Sequence, residues 1–192
     1  MVDFLLDPPS TDSEIDPPAP ATSLPCRQSH HHRHSLIACA SLVENPMNLG
    51  ALCRTAEVFR LESLVLSQLQ IAQNQEFRKL AVSADQWQPL EACAVKDLPD
   101  WLEAKARLGY IPLALTPDAS ASSITLFKFP KRSLLVLGRE LTGIPDPIQN
   151  QCRAAIAIPQ YGQVKSLNVQ TAAAIAIYEY ARQHSLIQLP EV

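Results

Sequence analysis

The stretch that most constrains this chain is residues 154–184, AAIAIPQYGQVKSLNVQTAAAIAIYEYARQH. A short apolar run ends at Pro159. A small polar loop follows, with Gly162, Lys165, Ser166 and Asn168. An alanine-rich segment then carries Val169, Ala172, Ala173, Ala176, Ile177 and Tyr180 at helical spacing. A strand feeding a tight polar loop and a helix with a small-residue face makes a ligand-binding corner of an α/β sheet.

The preceding chain repeats that alternation. Apolar runs at 35–42, 63–66, 90–95, 110–115, 133–137 and 154–158 read as strands. Helix-period segments fall between them. One is capped by Asn48 and runs to about Phe59; a short helix or a turn lies near 73–80. Another spans 98–108 and ends at Gly109, and a short one opens at Pro145. Trp87 is expected to plug a core edge. The pattern predicts an α/β fold, a mostly parallel sheet with helices on both faces. The 192 residues suffice for one domain with a real core.

Residues 1–34 read as a tail and linker, and 35–192 as the folded domain. Prolines 8, 9, 17, 18, 20 and 25 sit among acids and small residues without periodicity. His30, His31, His32 and His34 cluster around Arg33, either as a metal site or, with no scaffold to hold one, as a solvated linker. Acids rather than bases precede the first apolar patch, unlike a signal peptide. No run reaches transmembrane length, so no membrane partner is expected. The five cysteines lack CxxC or CxxH spacing, and three sit inside apolar runs. They read as buried thiols of a reducing, cytoplasmic compartment.

The net charge of −3 weighs against a nucleic-acid partner, but the sum hides a division. Residues 1–25 hold five acids and no Lys or Arg, which leaves a body close to neutral. Such a body can still present a basic face. Lys128, Lys131, Arg132 and Arg139 bracket the 133–137 strand, with Lys165 and Arg153 as extensions. They read either as a phosphate-contacting patch or as ordinary surface charge.

Three polar loops stand out. In the first, residues 44–57, Gly50 and Arg54 are four apart on one helix face, and the glycine is expected to leave space beside the guanidinium. Arg54 either answers an anion or pairs with a local acid such as Glu57. In the second, residues 138–145, two glycines let backbone approach a ligand, and Glu140 is the only acid; the alternative is a plain strand-to-helix turn. In the third, residues 159–168, Ser166 or Asn168 caps the last helix, and Tyr161 either stacks on a base or sits at the solvent edge. No GxxxxGK[ST], GxGxxG or GxSxG motif occurs, so an ATP or nicotinamide enzyme is poorly supported.

In order, these loops resemble the three motifs of the SpoU/TrmH branch of the knotted (SPOUT) RNA methyltransferases. N-x-G-x-x-x-R-[TN]-A matches Asn48 through Gly50 and Arg54 to Ala56. A strand followed by G-x-E-x-x-G matches Gly138, Glu140 and Gly143. I-P-x(5–6)-S-L-N-V-x-x-A matches Ile158 and Pro159, then Ser166 to Val169 and Ala172. The resemblance covers roughly residues 35–184. Runs such as CRTAEVF, SADQWQPL and FPKRSLLVLGRELTGIP are similar to the catalytic domain of eukaryotic tRNA guanosine-18 2′-O-methyltransferases.

The resemblance implies an α/β domain with a C-terminal trefoil knot, paired as a homodimer. It implies S-adenosylmethionine held at Thr116, Gly138, Gly143, Ile158 and Leu167, and no metal. It assigns catalysis to Arg54, with Asn48, Glu140, Ser166 and Asn168 in support. The substrate would be RNA, not DNA. Arg54, Lys128, Lys131, Arg132, Arg139 and Lys165 would contact it. A guanidinium stays protonated, so Arg54 is expected to clamp phosphate and ribose and to stabilise the alkoxide, with Asn48 and Glu140 holding it. The target expected from the likeness is guanosine 18 of tRNA. The alternatives are another tRNA nucleotide or rRNA, and an RNA-binding or assembly protein without activity.

Overall fold

The computed structural model describes residues 32–164 and 166–184. Its strands are β1 (His34–Cys39), β2 (Leu61–Leu66), β3 (Leu90–Ala92), β4 (Ile111–Leu115), β5 (Ser122–Ser123), β6 (Ser133–Leu137) and β7 (Ala154–Ala157). The helices are α1 (Pro46–Val58), α2 (Gln75–Ala81), α3 (Leu98–Arg107), α4 (Asp146–Gln149) and α5 (Val169–Gln183). The strands form one sheet in the order β3-β2-β1-β6-β4-β7-β5, and every pairing is parallel.

Strand alternation explains the two cores. Leu36, Ala38, Leu135 and Leu137 face one side, where α1, α2 and α5 contribute Leu49, Leu52, Phe77, Ala173 and Ile177. Ile37, Cys39, Leu134 and Val136 face the other, where α3 and α4 contribute Leu98, Leu102 and Ile148. A parallel sheet covered on both faces needs such continuous apolar strands. The chain runs outward from β1 through β2 to β3, then resumes on the far side of β6. That order sets the carboxyl ends of β6, β4 and β7 side by side, and open α/β sheets take their ligands at the carboxyl ends of their strands.

Several expectations need correction. The folded body begins before residue 35. Arg33 donates to Glu57 at 2.7 Å, to the Leu61 carbonyl at 3.0 Å and to the Trp87 carbonyl at 2.6 Å, and His34 is buried as the first residue of β1. Arg33 is thus an anchor and not part of a solvated linker. Trp87 is not a core plug: its ring is partly exposed, and Gln88 is the buried side chain. β5 escaped the sequence reading because two serines carry no periodic signal. The proposed tail up to residue 31, including His30 and His31, lies outside the described residues, as does Lys165. Among the described residues no helix is long and apolar enough to cross a membrane, and no group of His, Cys, Asp and Glu could hold a metal ion.

Candidate active site

The carboxyl ends of β4, β6 and β7 open into a cavity of about 670 Å³. Thr116 follows β4 into it, and Gly138 to Gly143 follow β6. Ile158, Ser166, Leu167 and Asn168 close the third side. Leu115, Leu137, Ile144 and Val169 supply apolar wall, and among the described residues Glu140 is the one carboxylate lining it. All five positions expected to hold the cofactor therefore border one space, as do Glu140, Ser166 and Asn168. The sequence reading missed Gln149 and Gln160, which also line it. Neither carries a signal that would set it apart from a surface glutamine.

The glycines of the second loop serve its shape. The backbones of Arg139 and Gly143 exchange hydrogen bonds of 2.9 and 3.1 Å, closing the loop on itself. A Cβ on Gly138 would lie 2.7 Å from the Gly143 carbonyl carbon, and Gly143 itself has φ +70°. Gly138 thus admits backbone from its own loop, and Gly143 supplies a left-handed turn that L side chains rarely adopt.

The first loop departs from expectation in a useful way. Asn45, not Asn48, caps α1, accepting from the Met47 N–H at 2.9 Å. Asn48 lies inside the first turn with its side chain free for other work. Its Nδ2 donates to Glu140 Oε1 at 3.0 Å, and its Oδ1 accepts from Asn168 Nδ2 at 3.0 Å. Asn168 Oδ1 meanwhile caps α5, accepting from the N–H of Gln170 at 2.9 Å and of Thr171 at 3.4 Å. One chain of three side chains joins all three loops. One turn deeper, Gln170 Nε2 donates to Thr55 Oγ1 at 3.3 Å and links α5 to α1 again.

Gly50 does not make room for Arg54. A Cβ there would lie 2.2 Å from the Phe77 carbonyl oxygen, so the glycine lets α2 pack against α1. Arg54 is exposed and does not line the cavity. It lies six residues beyond Asn48, about 9 Å along the helix axis and on a different face. Asn48 and Glu140 bond each other rather than Arg54. The local acid Glu57 is held by Arg33 at 2.7 Å, and Arg54 has no hydrogen bond or ion pair among the described residues.

The basic residues do not form one patch. Lys128, Lys131 and Arg132 precede β6, and Arg139 follows it; a five-residue strand separates them by about 17 Å. Arg132 is tied to the Leu108 carbonyl at 2.6 Å and lies over the Tyr110 ring. Only Arg139 of this group borders the cavity, with a long 3.9 Å contact to exposed Glu44. Burial pushes the Cys53 and Cys93 thiols up to about 12, which disfavours the thiolate form at both.

Comparison with known proteins agrees with this geometry. The model of the SpoU rRNA Methylase family matches residues 35–178. A tRNA (guanosine(18)-2′-O)-methyltransferase of Mus musculus is 42% identical over 151 residues, which are 79% of this chain and 10% of that protein. The chain therefore spans about a tenth of the length of this relative. The TrmH/SpoU tRNA modifying enzyme of A. aeolicus superposes with a TM-score of 0.69 at 27% identity, covering 79% of this chain and 76% of that one. An AdoMet-bound rRNA methyltransferase from Sinorhizobium meliloti has the same fold, with a TM-score of 0.68 at 24% identity, covering 79% of this chain and 57% of that one. With three motif loops meeting at one cavity and three quarters of its length matched by the family model, the chain belongs to the SpoU methylase family.

Proposed function

We propose that this chain catalyses S-adenosylmethionine-dependent methyl transfer to a ribose 2′-hydroxyl of tRNA, with guanosine 18 as the target. The observation that carries this reading is the Glu140–Asn48–Asn168 chain at the edge of the cavity, which joins all three family motifs. The mouse relative's specificity supports the choice of nucleotide.

The residues present fit the cofactor. The apolar wall of Leu137, Ile144 and Ile158 suits a purine, and the Glu140 carboxylate suits a cation. When bound, S-adenosylmethionine supplies an already activated methyl on a sulfonium. The protein's work is then alignment and charge. The network fixes the 138–143 and 159–168 loops around the cavity, and Asn168 sets the start of α5. Arg54 acts by donating N–H bonds to phosphate and to the 2′-oxygen as that oxygen becomes anionic.

Arg54 stands outside its own subunit's cavity, which supports a homodimer in which Arg54 of the partner subunit completes the site. The outer surfaces of α1 and α5 leave Val58, Ile175 and Tyr178 exposed, an apolar face suited to such pairing. A knot formed by the C-terminal segment belongs to the same reading. It is supported by the crossing of the chain from β7, near one sheet edge, to α5, packed with α1.

The test is transfer of labelled methyl from S-adenosylmethionine to unmodified tRNA transcripts, with the product position mapped. Label on the ribose of guanosine 18, lost when that nucleotide is 2′-deoxy, is expected. Cofactor binding without transfer to any RNA would leave the reading without support.

A further inference from the structure

Two large apolar side chains stand almost wholly in water beside the cavity. Leu141 is 98% exposed in the 138–143 loop and lines the cavity, and Tyr161 is 95% exposed in the 159–168 loop, directly after the lining residue Gln160. Tyr161 has no hydrogen bond or ring partner among the described residues. A Cβ at the neighbouring Gly162 would meet nothing within 4 Å, so the backbone next to the ring is open as well. Single exposed apolar side chains are ordinary on a protein surface, but these two stand on two of the loops that border one cavity, where an entering substrate meets them.

Resting on the functional reading above, we infer that Leu141 and Tyr161 clamp the nucleobase of the target nucleotide, the leucine wedging and the tyrosine stacking. Stacked RNA displays its 2′-hydroxyls only at the surface of the minor groove, so carrying one down into a cavity bordered by three loops requires the nucleotide to be splayed out. The displaced base then needs a substitute for its stacked neighbours. An aromatic ring supplies one face and a branched aliphatic chain the other. The occupant is RNA rather than a protein surface because Arg139, on the same loop as Leu141, offers a guanidinium whose one ion pair among the described residues is a long 3.9 Å contact to exposed Glu44. That places a phosphate-binding charge beside the clamp.

The experiment measures methyl transfer and the KM for tRNA with wild-type protein, Tyr161→Ala, Tyr161→Phe and Leu141→Ala. Each is run on a normal transcript and on one whose target nucleotide keeps its ribose but lacks its base. Tyr161→Ala is expected to raise KM roughly tenfold, with Tyr161→Phe restoring it and S-adenosylmethionine affinity unchanged. On the abasic transcript, wild type and Tyr161→Ala should become equal. Equal losses in the Ala and Phe variants, or an undiminished Tyr161→Ala effect on abasic RNA, would overturn the clamp. So would sedimentation showing that Leu141→Ala dissociates an oligomer, since its side chain would then serve a second copy of the chain. Absence of transfer by the wild type defeats the functional reading and the clamp together. Transfer indifferent to both residues defeats the clamp alone.

Discussion

Asn48 and Glu140 are 92 residues apart in sequence and share a 3.0 Å hydrogen bond at the carboxyl edge of the sheet. The bond exists because Asn45 has taken over the capping of α1. Asn48 also accepts from Asn168, so it is the middle link between the other two loops. Asn48→Ala should therefore cost only about 1 kcal/mol of stability at this partly open position, yet weaken S-adenosylmethionine binding several-fold. Asn48→Asp should be worse than Ala, since it sets a second carboxylate against Glu140. Calorimetric titration alongside denaturant unfolding separates the two effects; cofactor affinity equal to wild type in both variants would sink the proposed role.

Gly50→Ala reverses a familiar sign. In an exposed helix interior the change gains about 1 kcal/mol. Here the added methyl would come 2.2 Å from the Phe77 carbonyl oxygen, backbone that cannot swing aside. A net loss of about 2–3 kcal/mol is expected as α2 is pushed off α1. Urea unfolding reads this directly, and an unchanged or raised midpoint would show that the contact is not tight.

Arg54→Ala should lower turnover at least ~100-fold, about 3 kcal/mol of transition-state stabilisation, while leaving cofactor affinity close to wild type. Arg54→Lys should recover little, because a point charge does not replace the planar fork on phosphate and ribose. Mixing this variant with a cavity-defective one gives a further readout. If Arg54 serves the partner's cavity, heterodimers of Arg54→Ala and Asn168→Ala should regain activity in one site. Single-turnover kinetics with saturating RNA would expose a near-normal Arg54→Ala rate and end the assignment.

The amino edge of the sheet carries a pH dependence. Burial, then the neighbouring charges of His184 and Arg60, hold His34 below its ordinary pKa of 6.5. The folded state therefore binds this proton later than the unfolded chain. The associated stability is fully present above about 6.5 and falls as pH drops below it, until the folded form also titrates. Glu179, lowered to about 2 by hydrogen bonds from Arg182 and Gln183, stays ionised through that window. The denaturation midpoint should thus drop between pH 7.5 and 5.5. His34→Phe keeps an aromatic ring edge-on to Tyr180, 5.6 Å between centroids in the wild type, and should flatten the slope. An equally steep slope in the variant would place the effect elsewhere.

Much of this molecule is legible in one dimension. Apolar runs such as SLLVL at 133–137 are too short and too continuous for anything but buried strands. Segments such as 98–107 repeat at 3.6 residues and end at Gly109, whose φ of +86° needs no side chain. The three loops are also local signals, because each packs glycine, amide and charge into a few residues. Local chemistry therefore specifies every strand but β5, most of the helices, the mostly parallel α/β class, and Ser166 or Asn168 as the cap of the last helix.

The partnerships were decided only by folding. Which asparagine caps α1 depends on where Glu140 and Asn168 arrive. Whether Gly50 spares room for a guanidinium or for Phe77 depends on the approach of α2. Lys131 and Arg139 look adjacent along the chain, yet a strand holds its two ends about 17 Å apart, so the basic patch divides. Residue type and period act over one or two turns of chain. A contact across 92 or 120 residues is set by how seven strands are ordered in the sheet, and that order is written in no single segment.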